Sequence, residues 1–129
     1  MVNKKIIPIP IYEHALHVIF GNKKEVKEAL KEFEIKKDDI DGYADRLVLE
    51  HALGSFCYFE KYDDYYLWMP KVPVSIKEYS TLVHELEHFV FMFLDMRGLT
   101  HSDDSDEAYA YLLGYVFCEI DIFINELKE

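Results

Sequence analysis

The segment from Ser75 to Gly98 constrains this 129-residue chain most, because both of its ends are marked as the ends of one long helix. Ser75-Ile-Lys-Glu78 is a capping box, with Ser at the N-cap and Glu three residues on, each satisfying the other's orphan backbone donor. The helix is expected to run through about Met96, with Gly98 suited to its C-terminal cap. Leu82, Leu86, Phe89, Val90 and Phe93 recur at spacings of three and four. A helix with such a stripe has to bury it against a sheet or other helices.

The remainder supplies those partners. Ile6–Ile11 and Ala15–Phe20 are β-branched and apolar and read as two strands or one bent strand. Pro8 and Pro10 cannot donate to a ladder, so the first belongs at an edge or a bulge. Asn22 can cap a helix from about Lys23 to Phe33, whose Val26, Ala29, Leu30 and Phe33 form one apolar stripe. Residues 34–54 are charged and ambiguous, with a short helix around Tyr43–Leu53 as one reading. Ser55–Lys61 and Tyr65–Met69 read as a hairpin turning at Tyr62-Asp63-Asp64. A polar loop, Thr100–Ser105, precedes a last helix from about Asp106 to Leu127. With no repeats or linkers, residues 1–129 are expected to form one α+β domain.

Charge narrows the function classes. Acidic residues outnumber basic ones 25 to 14, a net charge of −11. Nucleic-acid and anionic-membrane partners both depend on Lys and Arg, so neither is expected. No apolar stretch reaches the roughly 20 residues of a membrane span. The start, Met1-Val-Asn-Lys-Lys-Ile-Ile-Pro, lacks a cleavage site, and Cys57 and Cys118 are too few for a disulfide framework. The expectation is a cytoplasmic protein with reduced thiols.

Within the long helix stands His84-Glu85-Leu86-Glu87-His88, an HExxH sequence. Residues four apart share a helix face about one turn apart, so both imidazoles can reach one tetrahedral zinc ion. Glu85, rotated about 100° from His84, is free to act as general base on a water at the open position. Leu82, Val83, Leu86, Phe89, Val90 and Phe93 are expected to bury this segment. Eighteen residues separate His88 from Glu107, which opens the last helix.

The pattern HExxH-x18-E resembles the gluzincin branch of zinc metallopeptidases. Thr81-Leu-Val-His-Glu-Leu-Glu-His88 with Ser105-Asp-Glu-Ala-Tyr-Ala-Tyr-Leu-Leu-Gly-Tyr115 is similar to small metallopeptidase-like proteins of bacteriophage genomes. The resemblance covers residues 75–118 and implies a minimal zincin-like fold: a small N-terminal antiparallel or mixed sheet with one helix, then two long packed helices. It implies one Zn2+ ion on His84, His88 and Glu107, with Glu85 as base. His101, thirteen residues after His88, is the rival third ligand, although the metzincin spacing is absent because Phe91 and Leu94 stand at its Gly and His positions. An oxyanion stabiliser is expected at Tyr111, with Tyr109 and His101 as alternatives. Gluzincins commonly carry an acid four residues after the ligand Glu; Tyr111 stands there instead, leaving Asp103, Asp104 or Asp106 to orient a ligand histidine. His14, His17 and His51 read as structural.

The resemblance also implies a peptide or protein substrate added along an edge strand, which by sequence position is Tyr65–Met69; the alternative is an ordinary core hairpin with aromatic cross-strand pairs. The expected function is zinc-dependent peptide hydrolysis; the alternative is a non-catalytic protein-binding module with a structural or vestigial zinc site. Oligomeric state is not legible in the sequence.

Overall fold

The computed structural model describes residues 3–129. The reading of the N-terminus as leaderless begins at Met1 and Val2, which lie outside the described residues. Eight elements follow in order: β1 (Asn3–Ile9), β2 (His14–Phe20), α1 (Lys23–Glu32), α2 (Lys37–Leu47), β3 (Ser55–Phe59), β4 (Asp64–Met69), α3 (Ile76–Asp95) and α4 (Asp106–Leu127). They build an α+β fold around one four-stranded mixed sheet of order β1-β2-β4-β3. β1 and β2 pair antiparallel, β2 and β4 parallel, and β3 and β4 antiparallel.

The two central strands are buried on both faces, which explains their nearly unbroken apolar sequences. Leu16, Val18, Phe20, Tyr65, Leu67 and Met69 point to one side and meet α3 and α4. Ile19, Tyr66 and Trp68 point to the other and meet α1 and α2. Helices therefore cover the sheet on both sides. α3 turns Leu82, Leu86, Phe89 and Phe93 into the first core; α4 adds Leu112, Val116, Ile120 and Ile124.

Several local expectations hold. Asn22 caps α1, where Glu25 adds the return bond of a capping box, and Ser75 forms the expected capping box with Glu78. Gly98, at φ 81, takes the left-handed conformation after α3, and the Leu99 N–H donates to the Leu94 carbonyl at 3.0 Å. β1, which contains Pro8 and is followed by Pro10, is an edge.

Two expectations are corrected. The N-terminal half holds two helices rather than one, and the second ends at Leu47 instead of spanning 43–53. Ile40, Tyr43, Ala44 and Leu47 supply its apolar face, while Asp38 and Asp39 suit its positive N-terminus. The second correction concerns Tyr65–Met69. β4 lies between β2 and β3 and is paired on both sides, so it offers no free backbone to a substrate; the edge beside α3 is β3.

Candidate metal centre

α3 spends its apolar stripe on the sheet, and the geometry of a 3.6-residue helix then turns the HExxH side chains outward. Leu82, Leu86, Phe89, Val90 and Phe93 are buried as expected, but Val83 is exposed and the two imidazoles reach solvent. The His84 and His88 Nε2 atoms are 3.2 Å apart, their rings nearly perpendicular. Two nitrogens on one tetrahedral ion, at bonds of about 2.0–2.1 Å, are about 3.3–3.4 Å apart. The pair thus holds the spacing that a shared zinc requires.

Glu85 leans the other way. Its side chain is only 12% exposed, against 67% for His84, and its Oε1 is 4.0 Å from His84 Nε2. Together with His88 it faces a groove of about 350 Å³ closed by Leu49, Gly54, Ser55, Phe56 and Met92. The groove runs between α3 and β3.

β3 approaches α3 closely because Gly54 precedes it. A Cβ there would lie 3.1 Å from Thr81 Cγ2, 3.1 Å from the Trp68 carbonyl oxygen and 3.3 Å from Met69 Cγ. Ser55 is anchored by its hydroxyl, which donates to the Leu47 carbonyl at the end of α2. The edge itself is partly occupied. Arg46 Nη2 donates to the Tyr58 carbonyl at 3.0 Å and to Glu60 Oε1 at 3.2 Å, while Nη1 donates to Glu60 Oε2 at 3.1 Å. Both backbone groups of a residue in an antiparallel pair face the same side, alternating along the strand. With Tyr58 turned outward, Phe56 is turned outward too, and it is Phe56 that borders the groove.

The other expected residues lie elsewhere. Among the described residues, no three His, Cys, Asp or Glu side chains form a group placed to hold a metal ion. The structure brings His84 and His88 together and leaves Glu107, exposed in the first turn of α4, outside their group. Tyr111 is 80% exposed and borders a separate apolar recess with Ile9, Pro10, Ile11, Tyr12 and Leu94. His101 packs against Phe91 and Tyr109, and its Nε2 is 2.9 Å from Asp106 Oδ1. Tyr109 is buried, its hydroxyl donating to the Leu99 carbonyl. Asp103 and Asp104 are exposed in the loop.

His17 is a core residue, buried and stacked on Tyr66 with ring centroids 4.5 Å apart. His51 is exposed beside Glu50. Sequence reasoning missed Leu49, Gly54, Ser55, Phe56 and Met92 as groove residues. A lone glycine immediately before a strand is the one local signal that could have pointed there.

Among the described residues, no helix is long and apolar enough to cross a membrane. Comparison with protein-family models, with curated proteins and with solved structures finds no match to this chain.

Proposed function

We propose that the chain is a zinc-dependent metallopeptidase. The observation that carries this reading is the 3.2 Å separation of the His84 and His88 Nε2 atoms, with the Glu85 carboxylate bordering one groove together with His88. His84 and His88 would hold the ion, and Glu107 is proposed as third ligand on the strength of the HExxH-x18-E spacing alone. A bound zinc would lower the pKa of a coordinated water to about 7 and polarise the substrate carbonyl. Glu85 takes the proton from the attacking water and returns it to the leaving amine. Its low exposure keeps the carboxylate at the groove wall instead of in bulk solvent. Tyr111, which the motif offers as oxyanion donor, borders a different recess and is given no part in the groove.

An extended peptide would pair with the outward backbone of Phe56 on β3, laying side chains against Leu49, Phe56 and Met92. These walls favour an apolar side chain beside the scissile bond. Arg46 limits strand addition in the direction of Tyr58.

The test pairs two measurements. Zinc titration by calorimetry should give one site in the parent and in Glu85→Gln, and a large loss of affinity in His84→Ala and His88→Ala. Cleavage of a random peptide mixture should occur with the zinc-loaded parent and fall by about 10²–10⁴-fold in Glu85→Gln. Zinc bound at one site without any cleavage would replace the enzyme with the protein-binding reading. No zinc binding would remove both.

A further inference from the structure

His14, the first residue of β2, has both ring nitrogens committed to acceptors. Nδ1 is 2.8 Å from the Tyr12 carbonyl oxygen and Nε2 is 2.9 Å from Asp63 Oδ2. A carbonyl and an ionised carboxylate supply only lone pairs, so each ring nitrogen has to donate. Only the imidazolium carries both hydrogens. The second Asp63 oxygen, Oδ1, accepts from the Tyr58 hydroxyl at 2.7 Å, which keeps the carboxylate an acceptor on both sides. One side chain thereby joins the β1–β2 turn to the β3–β4 turn.

Those two turns are the strained parts of the sheet. Ile11 (φ 78), Glu13 (φ 56) and Asp63 (φ 51) all adopt the left-handed conformation without being glycine. For Ile11, which is β-branched, this is an outlier, and at 93% exposure no packing compensates it.

We propose that His14 is a proton-dependent bolt between the two turns. Charged, it donates to both; neutral, it keeps one bond and leaves either the Tyr12 carbonyl or the Asp63 carboxylate without its donor, so the tie between the two turns is weakened. This does not depend on a metal.

The charges around His14 come from several elements. Asp63 in the β3–β4 turn and Asp64 on β4 favour its cation, Arg97 beyond α3 opposes it, and the rings of Tyr65 and Phe93 pack against it. Tyr12 contributes its carbonyl, and Tyr58 acts through Asp63. The Asp63 hydrogen bond, then the Tyr12 carbonyl, raise the His14 pKa above 6.5 against burial and Arg97. In return, hydrogen bonds first from His14 and then from Tyr58 hold the Asp63 carboxyl below its ordinary value. The His14 contribution is complete below about pH 6.5 and disappears as pH rises through its raised folded value. The Asp63 contribution is present above the usual carboxylate range and disappears in acid.

Long-range nitrogen–proton spectra of the unaltered protein at about pH 6 should show both His14 ring nitrogens protonated, with a titration midpoint above 6.5. Asp63→Asn should lower that midpoint. In a cycle of His14→Gln, Asp63→Asn and the double variant, the coupling in urea midpoints should be larger near pH 6 than near pH 9. A parent midpoint at or below 6.5, or a coupling equal at the two pH values, overturns the proposal. The parent spectrum decides it even where a variant fails to fold.

Discussion

Gly54→Ala probes the contact that forms the groove. The new methyl would meet Thr81 Cγ2 and the Trp68 carbonyl at 3.1 Å and Met69 Cγ at 3.3 Å, all tighter than ordinary contact. Met69 and Thr81 can give by rotation, but the Trp68 oxygen is backbone within the β3–β4 ladder and cannot. Overpacking of this kind costs about 1–3 kcal/mol. Against it, alanine reduces the freedom of the unfolded chain, a gain of about 0.4–1 kcal/mol. The clash wins, leaving a net loss of about 1–2 kcal/mol. For a domain of this size that lowers Tm by roughly 4–8 °C. Thermal and urea unfolding of Gly54→Ala, Thr81→Ser and the double variant provide the assay. Thr81→Ser removes Cγ2, so the double variant should recover part of the loss and show favourable coupling. A Gly54→Ala protein as stable as the parent would refute the reasoning, because β3 would then not be seated on α3 as described.

Phe93→Ala should cost about 3–5 kcal/mol in urea unfolding, since the ring is fully buried and carries the Arg97 guanidinium 3.7 Å from its centroid; a loss under about 1 kcal/mol would contradict that packing. His17 is buried, and desolvation lowers its pKa, so its contribution is present above about pH 6.5 and lost as acid forces a charge into the core. His17→Phe should therefore flatten the stability decline between about pH 7 and pH 5, measured as urea midpoints. Arg46→Ala should uncover the Tyr58 carbonyl and lengthen the open edge of β3, raising self-association in light scattering relative to the parent.

What was legible in the sequence was what short-range chemistry determines. The cap at Asn22, the capping box at Ser75, the glycine after α3 and the apolar stripes of α1 and α3 all reside within a few residues, and the structure follows them closely. The His84–His88 pair belongs to the same class, because a spacing of four on a helix dictates the neighbour. α2 was misplaced because Lys36–Asp45 is so charged that its stripe of Ile40, Tyr43, Ala44 and Leu47 is hard to separate from a polar loop. The edge position of Tyr65–Met69 fails for a different reason. The unbroken run Tyr65–Met69 carries the pattern of a strand buried on both faces, yet its second partner, β2, lies at a sequence separation that no local pattern encodes. The same holds for His14 and Asp63, 49 residues apart, and for the groove that Gly54 allows. Glu107 shows where motif spacing stops: it locates a carboxylate on a helix, and only the packing of α3 on α4 decides where that carboxylate goes.

Zinc-edge X-ray absorption on the stoichiometric complex tests the central claim most directly. The parent should show two imidazole nitrogens at about 2.0–2.1 Å, with His84→Ala losing one of them and Glu85→Gln retaining both. A spectrum without imidazole scattering, or one unchanged by His84→Ala, would contradict the assignment of α3 as the metal-holding helix.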